Sequence, residues 1–89
     1  MKYRGRTEIL GNILDAANGG ATKTKIMYQA FLSYGQLKGY LFVLVENNLI
    51  EYSNGTQTFK TTEKGLNCLK MYREIGEFLK QKTPAIKNE

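Results

Sequence analysis

The chain has no histidine, no tryptophan, one cysteine and one proline among its 89 residues. Each shortage closes off a class of chemistry. Without histidine there are no Ser-His or Cys-His nucleophile pairs and no His-containing metal sites. A single thiol, Cys68, forms no intrachain disulfide and supplies no cysteine cage for a metal. The carboxylates are scattered over what read as helix surfaces and are not gathered with a base or nucleophile, so the sequence points away from an enzyme, and no cofactor and no metal are expected. No stretch approaches the roughly 20 apolar residues that span a bilayer, so no membrane partner is expected either. The opening Met1-Lys2-Tyr3-Arg4-Gly5-Arg6 is basic, but Glu8, Gly11, Asn12 and Asp15 interrupt the next stretch, so it lacks the apolar core of a signal peptide. With one thiol that suits a reducing compartment, a cytoplasmic location is expected.

What the chain does have is enough for one small domain. Apolar residues make up 42%, sufficient for a single core, although a fold of this size leaves about 40% of its unfolded-chain surface exposed. Lysine and arginine number 13 against 8 acidic residues, a net charge of +5, and the excess is unevenly placed. Up to Val45 there are six basic residues (Lys2, Arg4, Arg6, Lys23, Lys25, Lys38) against two acidic ones, a balance of +4; from Glu46 onward seven face six, a balance of +1. A surface for an anionic partner therefore belongs to the first half, while the mixed charges of the second half read as a solvated helix surface.

Periodicity and capping signals give the order of elements. Ile9, Leu10, Ile13, Leu14 and Ala17 lie on one helical stripe, with Thr7 as its expected N-cap and Asn18-Gly19-Gly20 as its stop, so a first helix is expected over 7–17. Thr22 caps a short second helix with Ile26, Met27 and Ala30 inside. Ser33 with Gln36 three residues on has capping-box spacing and opens a third helix over 34–46, whose core stripe is Leu37, Tyr40, Leu41, Leu44 and Val45. Two alternating segments, 49–53 and 56–61, flank Asn54-Gly55, the sequence of a two-residue hairpin turn. A last helix opens at Thr61 or Thr62, continues through Leu66, Leu69, Tyr72, Ile75 and Leu79, and is expected to fade at Lys82, because Pro84 disfavours helix at the residue before it. The fold class expected is α+β, mostly helical: a winged helix-turn-helix of three helices, a β-hairpin and a C-terminal dimerisation helix. The expected divisions are a basic N-terminal arm (1–6), the winged domain (7–61), the dimerisation helix (62–82) and a disordered tail (83–89).

The segment Thr24-Lys25-Ile26-Met27-Tyr28-Gln29-Ala30-Phe31-Leu32-Ser33-Tyr34, with Leu37, Tyr40 and Leu41 after it, resembles the signature of a family of small archaeal winged-helix proteins. Asn48-Leu49-Ile50 is similar to that family's exit into the wing, and Thr61-Thr62-Glu63-Lys64-Gly65 to its start of the last helix. The resemblance spans roughly 7–79. It implies DNA binding and a homodimer, since members include predicted transcriptional regulators and chromatin proteins that pair through an antiparallel coiled coil of the last helix. One departure is that the last helix expected here, about 20 residues, is shorter than in the coiled-coil chromatin members.

A recognition helix of this kind lies in the major groove of duplex DNA. On the third helix, Tyr34, Gln36, Lys38, Gly39, Phe42 and Val43 fall off the core stripe. Gln36 can pair with adenine and Lys38 with guanine or a phosphate, and Ser33 can hold a phosphate at the helix start, but Ser33 and Gln36 are equally accounted for as a cap. Tyr34 and Tyr40 suit either the core edge or DNA, with the core favoured for Tyr40. Lys23 and Lys25 begin the second helix, where cations oppose the helix dipole and a phosphate would relieve them. Arg4 and Arg6 suit a groove-following arm or a frayed terminus. The wing tip has no basic residue, Lys60 being the nearest. Along the last helix, Cys68, Tyr72, Ile75 and Leu79, with Met71 and Phe78 beside them, form a coiled-coil seam for a second copy or fold back on the first helix. The expected function is a homodimeric, nucleoid-associated DNA-binding regulator; a chromatin-type protein with little sequence preference and a protein-interaction adaptor are the alternatives.

Overall fold

The carbonyl that closes the first 13-atom ring of a helix belongs to its N-cap, and here the N-cap is two residues ahead of the expected one. The computed structural model describes residues 4–87, with side chains through Phe78. Its elements are α1 (Arg6–Ala16), α2 (Lys23–Ala30), α3 (Tyr34–Glu46), β1 (Ile50–Ser53), β2 (Thr58–Thr61) and α4 (Glu63–Lys87). Gly5, not Thr7, is the N-cap of α1: its carbonyl accepts the Ile9 N–H at 3.1 Å, so Arg6 belongs to the helix and not to an arm. The other caps follow the sequence. The Thr22 hydroxyl accepts the Lys25 N–H at 3.2 Å, and Ser33 and Gln36 form the reciprocal capping box. Thr62 opens α4, accepting the Gly65 N–H at 3.0 Å while donating to the Asn48 carbonyl at 2.7 Å.

Both helix-turn-helix exits use a left-handed residue. Phe31 (φ 55°) ends α2, with the Leu32 N–H bonded back to the Met27 carbonyl; Asn48 (φ 61°) follows α3, with the Leu49 N–H bonded to the Leu44 carbonyl. Each pattern satisfies carbonyls that a helix end leaves open. Leu32 is thereby turned into the core.

The core is one cluster. Leu37, Leu41 and Leu44 of α3 pack with Ile13 and Leu14 of α1, with Ala17 at its C-cap, and with Ile26 and Ala30 of α2; Ile50 and Leu69 close it from the hairpin and from α4. The expected stripes supply most of this set, but Ile9, Leu10, Met27, Tyr40 and Val45 sit at its margin.

The hairpin departs from its expected turn. Ile50 pairs with Thr61 and Ser53 with Thr58, so the loop is the four residues 54–57, and its left-handed residue is Gln57 (φ 54°) and not Asn54-Gly55. Tertiary contacts set this register. Thr61 is buried, with its hydroxyl donating to the Leu14 carbonyl at 2.7 Å and its N–H to the Ala17 carbonyl at 3.0 Å. Phe59 forms an antiparallel bridge with Ala21 through bonds of 2.8 and 2.9 Å. A two-residue turn would shift β2 by two positions along β1, and these bonds would be lost.

α4 is also longer than expected, 25 residues, and runs past Pro84 to Lys87. A proline removes its own amide hydrogen bond and costs about 3 kcal/mol in a helix interior. Once a helix is nucleated, however, extension through good formers such as Lys80, Gln81 and Lys82 continues without a new nucleation cost. The disordered tail expected from 83 is therefore replaced by helix to Lys87; residues 88 and 89 lie outside the described residues.

The first turns of α4 lie on α1. A Cβ on Gly11 would come within 2.9 Å of the Tyr72 ring, so glycine at this position is what lets the ring rest on α1. An exposed ion pair of 2.8 Å between Arg73 and Asp15 joins the same two helices, a type of contact with little weight in stability.

Candidate nucleic-acid interface

At 100° per residue, α3 puts Gly35, Gln36, Gly39, Phe42, Val43 and Glu46 on the side opposite Leu37, Leu41 and Leu44. That outer side is open. Phe42 is 67% exposed and Val43 48%, and a Cβ added at Gly35 or Gly39 would meet nothing within 4 Å. Neither glycine is therefore required by the protein's own packing, although glycine inside a helix costs roughly 0.5–1 kcal/mol relative to alanine.

Between this face and the hairpin runs an open groove of about 1080 Å3. Its walls include Lys23 and Thr24 of α2, Lys38, Gly39 and Phe42 of α3, and Tyr52, Gln57 and Phe59 of the hairpin; none of its lining residues is acidic. Tyr52 and Phe59 pack across the strands with ring centroids 4.7 Å apart and their planes tilted by 45°. Lys23 leans to the start of α3, with its ammonium 5.0 Å from the Tyr34 ring centroid and 3.5 Å from the Tyr34 hydroxyl. On the other edge of α3, Arg6 and Leu10 of α1 line a smaller depression with Gln36, Gly39, Tyr40 and Val43. Cations thus flank the exposed face of α3 on both sides.

The residues selected from the sequence divide into those that gather here and those that do not. Lys23, Tyr34, Gln36 and Lys38 meet on or beside the outer face, and Arg6, displaced from the expected arm into α1, joins them. Lys25 is exposed in the first turn of α2. Ser33 and Gln36 are engaged with each other: the Ser33 N–H donates to Gln36 Oε1 at 3.0 Å and the Gln36 N–H to Ser33 Oγ at 3.2 Å. The bidentate pairing of Gln36 with adenine would require that oxygen to leave the cap. Lys60 is exposed on β2 and stands opposite Glu51 in the register. Tyr40 is half-buried against the core, as favoured.

Arg4 is not a groove-following side chain. Its guanidinium donates to the Ala30 carbonyl at 2.6 Å, the Phe31 carbonyl at 2.9 Å and Asn12 Oδ1 at 3.0 Å. It closes the end of α2 and ties the turn before α3 to α1, a placement that complements the negative end of the α2 dipole. Sequence reading missed it because the partners are backbone oxygens 26 and 27 residues away. Gly39 and Phe42 were legible only as positions off the core stripe, Gly35 was not singled out, and the hairpin's contribution through Tyr52, Gln57 and Phe59 had no local signal. Two glycines four residues apart inside a helix are the one pattern that marks this face in advance.

On α4, Met71, Ile75 and Phe78 are 57, 57 and 56% exposed and Cys68 is exposed, at spacings of three, four and three. Tyr72 is on the other side, half-buried against Gly11, so it belongs to the chain's own packing and not to an outward seam. The Leu79 side chain lies outside the described residues.

A helix-turn-helix held against a hairpin wing, with the second helix of the pair exposed, defines the winged helix-turn-helix class. The chain belongs to that family: its model matches residues 3–80. Among solved structures, the fold is similar to the crystal structure of Sso10a-2, a DNA-binding protein from Sulfolobus solfataricus, with a TM-score of 0.73 and 25% sequence identity over 96% of this chain and 95% of that one. No curated protein matches the chain. Among the described residues, no helix is long and apolar enough to cross a membrane.

Proposed function

We propose that this chain binds duplex DNA with α3 in the major groove, pairs with a second copy through α4, and acts as a transcriptional regulator. The observation that carries the reading is the exposed face of α3 between Lys23 and Lys38 on one side and Arg6 on the other, beside a groove without an acidic residue. Phosphates flanking a major groove meet such an arrangement of cations, and the start of α3 adds backbone amides that favour an anion. The similar Sulfolobus structure is that of a DNA-binding protein, which supports the same reading. About five to seven phosphate contacts would make log K fall with log salt at a slope near −0.9 per contact.

Pairing through α4 is supported by the row Cys68, Met71, Ile75 and Phe78, whose spacing is that of a coiled-coil seam. Charges of both signs border it (Lys70, Arg73, Glu74, Glu77), which suits a like helix better than a polyanion. A 25-residue helix is about 37 Å long, enough for such a seam beyond the winged domain.

A chromatin-type role with little sequence preference is the second reading. It is favoured by the scarcity of base-reading hydrogen-bond groups on α3, where Gln36 Oε1 is held in the cap. Gel shifts across a salt series, with Lys23, Lys25 and Lys38 changed to alanine, test the proposal. Binding that weakens with salt and flattens in the triple variant is expected; wild type without salt-dependent binding would refute it. Selection of bound duplexes from a random pool separates the two readings, a consensus favouring the regulator.

A further inference from the structure

The outer face of α3 has an unusual composition for a helix that reads DNA. Ahead of Glu46 in the last turn, the groups on that face that can hydrogen-bond a base edge are Gln36, whose oxygen caps the helix at 3.0 Å, and Lys38 at the margin. The remainder is backbone at Gly35 and Gly39 and hydrocarbon at Phe42 and Val43, with Phe42 67% and Val43 48% exposed. The major groove presents one apolar feature among its base edges, the C5 methyl of thymine, and Phe is one of the side chains that contacts it.

We infer that α3 reads thymine methyl groups, with Phe42 as the main contact and Val43 as the second, and that the protein therefore favours A·T-rich duplex. The inference rests on the proposed placement of α3 in the major groove. Three features of the site support it. Gly35 and Gly39 lower the helix surface by two side chains, and open space around them lets the groove floor approach the backbone of α3. Phe42 borders the same groove as Lys23 and Lys38, so a strand whose phosphates meet the lysines brings its bases toward the ring. Glu46, one turn beyond Phe42 on the same face, repels phosphate and confines the contact to the first three turns of α3. Discrimination then comes from burying a methyl, not from donor and acceptor matching, and extends over any run of thymines.

The test removes the methyl and nothing else. A duplex containing an A·T run is compared, at one salt concentration, with the same duplex carrying deoxyuridine in place of every thymine, which keeps charge, pairing and hydrogen-bonding edges. Wild type should bind the uracil duplex more weakly, by about fourfold for each methyl contacted. Introducing 5-methylcytosine in place of cytosine should restore part of the loss. Phe42→Ala, at an exposed position that leaves the core intact, should lose most of the difference between the two duplexes and keep the wild-type salt slope; Val43→Ala should narrow the difference by less. Equal affinity of wild type for both duplexes, with salt-dependent binding present, would overturn methyl reading and leave duplex binding standing. Unchanged discrimination in Phe42→Ala would also overturn it, assigning the difference to DNA shape. Failure of wild type to bind either duplex would remove the proposed function and this inference together.

Discussion

α3 and α4 each have one side in the core and one side outside it, and the surroundings of the two outer sides differ. On α3 the exposed side is flanked by Arg6, Lys23 and Lys38, with Glu46 only at its end. On α4 the exposed row is more apolar and its borders carry charges of both signs. An apolar strip among cations fits a polyanion that also offers hydrocarbon, whereas an apolar strip among mixed charges fits another helix of its own kind. Net charge alone does not separate these; its placement relative to exposed hydrocarbon does.

The largest effects should come from the inner sides. Leu44, 1% exposed, changed to alanine should cost about 2–5 kcal/mol through the cavity it leaves, read as a fall in the urea midpoint. Tyr72→Glu belongs with it: a carboxylate against α1 should lower the melting temperature strongly. Ile75→Glu, three residues on, should leave melting of the winged domain nearly unchanged and convert the proposed dimer to monomer in sedimentation. If the two substitutions behave alike, the division of α4 into an inner and an outer side is wrong.

Smaller effects separate cations proposed to contact DNA from one that organises the protein. Arg4→Ala should cost about 1 kcal/mol of stability, since it deprives the end of α2 of charge-assisted bonds, and should weaken DNA binding without changing the salt slope. Lys23→Ala should do the converse, reducing the slope by about 0.9 with little change in melting. The smallest expected effect is at Gly39. Alanine there should raise stability by up to about 1 kcal/mol, yet weaken DNA binding, because the added methyl stands where the proposed placement brings the duplex. A variant that is more stable and binds as well would show that α3 keeps its distance from DNA.

How much of this was legible depended on how local the cause was. The bounds of α2 and α3 follow from Thr22, Ser33 and Gln36, whose capping bonds span three residues, and the core stripe from a 3.6-residue period. The hairpin turn was misread because Asn54-Gly55 is a strong local signal overridden by Thr61 and Phe59, whose partners Leu14, Ala17 and Ala21 belong to the first quarter of the chain. The end of α4 was misplaced because the local bias before Pro84 is weaker than continuation of an established helix. Arg4 and Tyr72 were assigned outward roles since nothing nearby in sequence shows the carbonyls of α2 or the bare backbone at Gly11 waiting for them.

The amino-acid sequence by itself determined the order of elements, the family, the buried faces of the helices and the concentration of positive charge in the first half, all of which depend on neighbours within a turn or on composition. Only the tertiary structure decided the register of the wing, which arginine closes a turn and which flanks α3, and which side of α4 is left outward. Those choices rest on contacts between residues distant along the chain, where packing and hydrogen bonds outweigh the local preference that a sequence can display.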